Sequence, residues 1–379
     1  MDDEDATFKS RLSPEDRRRR DRRIPRRANL SYYEDSPFKN IFDSGDDQAL
    51  LNLTGLDHHT FSKLLGIYQP HYSSFTWCRS FKSVRRLKIC SRRRRMLDAT
   101  GSLGLVLTWF RTKGSCTRNL QLIFGLTGTP MYTWLKFGRR VLLFALQKVD
   151  SAKISAPSVQ ELHIYMSAVA AKYPRMNVVW GAMDGLKLTF QKANNGIKQN
   201  HFYNGWTHGH YISCIFVFAP DGRIRVCIIN CPGSMHDSTM AQYGVYHKLE
   251  QLYKDHGATV VVDSAFSRGA YPFLIKSSQE DPAGEPEAVL AHRDATSIRQ
   301  LSEWGMRMIQ AQFPRVTEPI QYEVKGERRI ILHLMVLLYN FQTAEIGINQ
   351  ILNSFMHDKN NYYGRDEMPG PVANLHDYL

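Results

Sequence analysis

Between Ala258 and Asp263 the chain reads Ala-Thr-Val-Val-Val-Asp, too short for an ordinary helix and apolar on both sides of a strand's alternation. Such a run is buried as a strand in the middle of a sheet, and a sheet covered on both faces needs flanking helices. Neighbouring segments supply both. Val178 to Phe190, Tyr211 to Phe218 and Ile224 to Asn230 are rich in β-branched and aromatic residues, and Ala219-Pro220-Asp221-Gly222 joins the last two as a hairpin signal. One helix is expected from about Ser238 to Lys254. Two more are expected from about Ala295 to Gln312 and from about Gly326 to Asn349, the latter with Ile330, Leu334, Leu337 and Phe341 on one face. Ser277 to Glu287 reads as a polar loop.

Three mostly antiparallel strands, a helix, a buried strand and then helices is the order of a ribonuclease H-like α/β fold. Other α/β folds give a similar order. Ahead of this region the texture is helical. Residues 1 to about 45 lack sustained apolar periodicity and read as a disordered basic and acidic tail. From Gln48, leucines and Phe61 fall at helical spacing, with Asp57 as a cap, and Asp98 to Arg111 is a strongly apolar helix. Thr117 to Phe124, a break at Gly125 to Pro130, and Met131 to about Lys148 have the shape of a helix-turn-helix. The expected organisation is therefore a tail (1–45), an all-α DNA-binding region (46–150), a linker and helix (151–176), an α/β catalytic domain (177–352) and a C-terminal tail (353–379).

Charge narrows the function. The chain of 379 residues carries a formal charge of +13, which points to a polyanionic partner such as DNA. Arg17 to Arg20 with Arg22, Arg23, Arg26 and Arg27 suit either a nuclear-import signal or a DNA-gripping tail, and the expected location is the nucleus. A second cluster contains Arg85, Arg86, Lys88, Arg92, Arg93, Arg94 and Arg95. In the helix-turn-helix, Thr129, Tyr132, Thr133, Lys136, Arg139 and Arg140 could face a groove or its phosphates; the alternative buries Trp134, Leu135 and Phe137 and leaves those polar residues in water. The longest apolar runs fall far short of the roughly 20 residues of a membrane span. The opening Asp and Glu do not read as a secretory signal. The six cysteines form no CxxC pair, so zinc is not implied.

Three carboxylates stand where carboxylates are costly. Asp184 interrupts the strand Val178 to Phe190, Asp263 ends the run Thr259 to Val262, and Glu303 lies in the late helical region. A buried carboxylate must be hydrogen-bonded, paired or metal-bound. Two or three convergent acids suffice for magnesium, which keeps water and substrate phosphate as its other ligands. Asp237, before the helix expected at Ser238, is either a helix N-cap or a fourth acid of such a site. His236 could bond a carboxylate or a phosphate.

Several motifs sit at these acids: Gly181-Ala182-Met183-Asp184-Gly185, Tyr203-Asn204-Gly205-Trp206 with Gly209-His210-Tyr211, Pro232-Gly233-Ser234 with His236-Asp237-Ser238, and Val262-Asp263-Ser264-Ala265-Phe266. With the weaker Ser302-Glu303-Trp304-Gly305-Met306-Arg307, they resemble the DDE superfamily endonucleases of Harbinger-type transposons. The resemblance implies a ribonuclease H-like domain whose Asp184, Asp263 and Glu303 are the catalytic acids holding two divalent ions, magnesium or manganese. It implies hydrolysis of a DNA strand at a transposon end, then attack of the freed 3′-hydroxyl on target DNA. It further implies a separate DNA-binding accessory protein, and the handling of two ends suggests a homo-oligomer. Leu186-Lys187 replaces the Thr-His-like pair of many relatives. The divergent sequence after Glu303 leaves Glu280, Glu285 and Asp294 as alternative third acids. A second reading is a host-adopted, catalytically silent derivative that binds DNA or protein; retention of all three acids favours the enzyme.

Overall fold

The structure, a computed structural model, describes residue 25 and residues 27–75, 96–113, 117–192, 196–266, 271–277, 286–320 and 325–356. The chain forms two compact units, Met1–Ala145 and Leu146–Leu379.

The described part of the first unit is helical: α1 (Pro37–Ser44), α2 (Asp47–Thr54), α3 (His58–Ser74), α4 (Ala99–Arg111), α5 (Thr117–Phe124) and α6 (Gly128–Leu146). Asp57 caps α3, accepting from the Thr60 amide at 2.6 Å. Helix α4 is the hub, buried from Gly101 to Phe110, as its excess of apolar residues predicts. The tail expectation fails for residues 27–45. Phe38 is fully buried, stacked on Phe124 at 4.7 Å, and Gly104 of α4 leaves the space its ring fills. Ser36 accepts from the Lys39 amide and Pro37 opens α1, a cap-and-proline start that signals a helix without any periodicity. Helices α5 and α6 flank a turn at Gly125, whose φ of +62° suits glycine; the Leu126 amide returns to the Gln121 carbonyl at 3.0 Å and closes α5.

The second unit is a mixed sheet with helices on both faces. Its elements are α7 (Val159–Lys172), β1 (Val179–Thr189), α8 (Gly196–Phe202), β2 (Tyr203–Asn204), β3 (Gly209–Phe218), β4 (Ile224–Pro232), α9 (Asp237–Ala241), α10 (Val245–His256), β5 (Thr259–Asp263), β6 (Leu274–Ser277), α11 (Pro286–Gln312), α12 (Lys325–Ile346) and α13 (Gln350–Phe355). The strand order is β2-β3-β1-β5-β6, with β4 also paired to β3. Strands β1, β3 and β4 are antiparallel neighbours, whereas β5 runs parallel to β1 and β6 parallel to β5. The short apolar run is therefore an interior strand, as its composition requires.

One face of the sheet, with Trp180, Met183, Val217, Val260 and Val262, packs against Leu162 and Tyr165 of α7 and Val245 and Leu249 of α10. Helix α7, expected as part of a linker, thus belongs to the α/β core, and Ser158 and Glu161 close a capping box at its start. The other face meets α11 and α12. Gly305 brings α11 so near the sheet that a Cβ there would stand 2.5 Å from the Phe218 ring. The single helix expected from Ser238 to Lys254 is two, because Gly244 at φ +113° breaks it. Strand β6 lies next to the expected polar loop, and α11 begins inside that loop, at Pro286. Among the described residues no helix is long and apolar enough to cross a membrane.

Candidate active site

The sheet's register sets two acids side by side. Met183 of β1 pairs with Val262 of β5, and both lie in the core cluster of one face. Asp184 and Asp263 each follow by one residue, so alternation turns both to the opposite face. Strand β5 stops at Asp263 while β1 continues to Thr189, leaving the two carboxylates at the mouth of the gap beyond β5. Asp184 accepts from the Gly185 amide at 2.7 Å, and Asp263 from the Ser264 amide at 2.6 Å.

Helix α11 passes along the same face. Arg175, just before β1, binds Glu287 at 2.6 Å and Asp294 at 3.6 Å near the start of the helix. Further along, Gly305 lies on Phe218, which pairs with Ala182 and so shares the face of Asp184. Glu303 is half-buried and forms an ion pair with Arg299, one turn earlier, at 2.6 Å. Arg299 is also close enough to Asp184 to act on its charge. Asp294 is thus paired with Arg175 as Glu303 is with Arg299, and Glu280 and Glu285 lie outside the described residues.

Asp237 approaches from the other side of β1. Its carboxylate sits over Gly185, where an added Cβ would be 2.9 Å from Oδ2, so any larger residue there would displace the acid. The helix α9 begins at Asp237 itself, with His236 at the N-cap position and no side chain closing the cap. The capping role weighed for Asp237 is thus absent; its carboxylate is directed at the sheet. Helix α9 packs on the turn Ser264–Phe266 that follows Asp263, and the Tyr246 hydroxyl donates to the Phe266 carbonyl at 2.7 Å, tying that turn to α10.

Electrostatics make these acids one group. Burial pushes the Asp184 carboxyl up to about 6; the Gly185 amide opposes this, Asp263 and Asp237 add to it, and Arg299 offsets part. Burial also raises Asp237, against Lys187 and His236, with Asp263 again adding. Lys187 and Arg299, neither foreseen as a site residue, are the cations that reach the acids. Lys187 follows Gly185 by two on β1 and so shares the face over which Asp237 sits, a signal legible in the sequence; nothing in the sequence marks Arg299.

Among the described residues no group of three or more His, Cys, Asp or Glu side chains stands close enough to hold a metal ion. Adjacent carboxylates fit a hard divalent cation nonetheless, since magnesium takes one or two carboxylates and completes its shell with water and phosphate. Burial first, and Asp263 and Asp237 after it, disfavour the charged Asp184 carboxyl, and a bound cation would offset both effects. Among the described residues the cysteines are not activated: burial pushes the Cys227 thiol up to about 12 and raises Cys214 and Cys231 as well.

In the first unit, Thr129 and Tyr132 are exposed and Thr133, Lys136 and Arg140 half-buried, around a core that takes in Leu135 and Phe137. Arg139 departs from the expectation that it faces DNA. It is 6 % exposed and lies over the Trp109 ring at 4.7 Å, because its helix position points at α4. Arg92, Arg93, Arg94 and Arg95, with Arg85, Arg86 and Lys88, lie outside the described residues, as do Arg17 to Arg20, Arg22, Arg23 and Arg26.

No curated protein and no solved structure matches the chain. Residues 183–340, the segment that contains Asp184, Asp237, Asp263 and Glu303, match the family of DDE superfamily endonucleases.

Proposed function

We propose that the protein is a divalent-metal-dependent DNA endonuclease of the transposase kind, with a ribonuclease H-like catalytic domain of the Harbinger type acting in the nucleus. It hydrolyses phosphodiester bonds at transposon ends and transfers the freed ends to target DNA. The observation that carries this reading is the pair Asp184 and Asp263, neighbours on adjacent parallel strands with Asp263 raising the buried Asp184 carboxyl, inside the segment that matches the endonuclease family.

Asp184 and Asp263 hold the metal, and Asp237, seated over Gly185, is the nearest further acid. Glu303, paired with Arg299, is the third acid that would hold the metal, and Arg299 keeps its carboxylate oriented on α11. Two bound magnesium or manganese ions supply the charge that makes a water or 3′-hydroxyl nucleophilic and stabilises the leaving oxygen. The carboxylates need move no proton themselves. They position charge at the scissile phosphate, while Lys187 and Arg299 limit repulsion before substrate arrives and offer contacts to its phosphates. Thr129, Tyr132, Thr133, Lys136 and Arg140, with Arg92 to Arg95, are the proposed DNA-binding residues. Handling two ends calls for a homo-oligomer, and an accessory DNA-binding protein would supply end recognition.

Nicking of supercoiled DNA tests the reading. The purified chain should nick with magnesium or manganese, not with chelator, and Asp184→Ala or Asp263→Ala should abolish nicking, a drop of at least about 100-fold. DNA binding without nicking, unaltered by either change, would establish the silent binding derivative instead.

A further inference from the structure

Trp206 is 90 % exposed, far more than any other tryptophan among the described residues. Single exposed apolar side chains are common on protein surfaces. This one differs in being held. The Asn204 side chain accepts from the Trp206 amide, the Thr207 amide and the Thr207 hydroxyl, each at 3.1 Å, and donates to the Gly233 carbonyl at 2.8 Å. Tyr203 and His210 pair across β2 and β3, and the Tyr203 hydroxyl hydrogen-bonds His208 at 3.3 Å, with His208 at φ +50°. The loop carrying the indole is thus fixed at both ends, so little entropy is lost when a partner covers the ring.

The position relates the ring to the acids. Gly233, which anchors Asn204, lies four residues before Asp237, and Tyr211 at the base of the loop pairs with Thr189 of β1. Thr189 is five residues beyond Asp184, roughly 17 Å along the strand. Trp206 lies further out still, at the tip of the loop beyond Tyr211, so a DNA strand with its phosphate at the acids and running along β1 would reach the ring several nucleotides away.

We propose that Trp206 is a stacking platform for an unpaired nucleobase of the strand being cut; the inference rests on the reading that the acid site works on DNA. An indole open on both faces gains most from a flat π-surface that is itself open. In a duplex the base faces are covered by their neighbours, which leaves a single-stranded, frayed or extruded base as the partner. Asn204 is the positioning residue that aims the ring.

The test is binding of labelled oligothymidylate and of a labelled duplex by the full chain, with chelator present so that no cutting occurs, for wild type, Trp206→Ala and Trp206→Phe. Because the side chain packs on almost nothing, thermal unfolding should be unchanged in both variants. Stacking on an alanine-sensitive base predicts at least about a fivefold loss of single-strand affinity in Trp206→Ala, unchanged duplex binding, and substantial recovery in Trp206→Phe. Equal single-strand affinity for wild type and Trp206→Ala, or equal losses on both DNAs, would overturn the proposal and leave the nuclease reading standing. A single-strand loss with a wild type that never nicks would remove the nuclease reading alone. No DNA binding by the wild type would remove both.

Discussion

The α/β unit carries two clusters of acids on one sheet, treated in opposite ways. At the β3–β4 hairpin, burial alone would raise the Asp221 carboxyl, yet Arg225 and Arg223 hold it below its usual value. Asp221 Oδ2 accepts from Arg223 at 2.7 Å, Arg225 at 2.8 Å and the Tyr165 hydroxyl at 2.6 Å, and Glu161 takes Arg225 at 2.7 Å. Two acids there meet two guanidiniums. Around the end of β5, Asp263 and Asp237 both act to raise the Asp184 carboxyl, and the guanidinium that reaches it, Arg299, is already paired with Glu303. The first cluster is an internally neutralised joint that fastens α7 to the hairpin. The second leaves charge for something from outside, which is the difference between a structural acid and a site.

Removing a cation from the neutralised cluster should do the most damage. Arg225, with a side chain 4 % exposed, leaves Asp221 and Glu161 without it in Arg225→Met, and the expected loss is about 3–5 kcal/mol of stability, read by urea denaturation. An unchanged midpoint would mean the joint carries no strength and the contrast is empty.

Removing charge from the other cluster should do the reverse. An acid whose folded pKa lies above its unfolded value binds a proton more tightly when folded, so stability falls as pH rises from about 4 to about 6 and stays lower above that. Asp184→Asn deletes that penalty. At pH 7 it should stabilise the chain by about 1–2 kcal/mol after allowance for partial exposure, and the gain should vanish near pH 4. Thermal unfolding across pH checks this; a destabilised variant at pH 7 would place Asp184 in the structural class.

The smallest effect belongs to the helical unit. Lys136→Ala with Arg140→Ala should weaken DNA affinity and lower the salt slope by about 1 to 2, whereas buried Arg139 should act on stability. Equal salt slopes for wild type and the double variant would place DNA contact elsewhere.

What the sequence revealed follows the same division. Strands, their hairpin, the interior position of β5 and the capping of α3 are local matters, fixed by alternation and by Asp57, and they read directly, whereas Ser158, read as the end of a linker, proves to cap α7. Asp184 and Asp263 were visible because a carboxylate in an apolar strand stands out. Partnerships across elements were not. Phe38 fills a space left by Gly104, Arg139 turns onto Trp109, Arg299 takes Glu303, and Asp237 faces Gly185 and caps no helix. Each depends on which surfaces meet, and that is settled by packing between segments far apart in the chain. Strand β6, four residues beside a polar loop, was too short to show a period.

The most direct test of the central claim is calorimetric titration of manganese into the wild type and into Asp184→Asn with Asp263→Asn. The account predicts saturable binding in the wild type that the double variant loses, with the metal raising the unfolding temperature of the wild type alone. Equal binding by both proteins would contradict it, since the Asp184 and Asp263 pair would then not be where the metal sits.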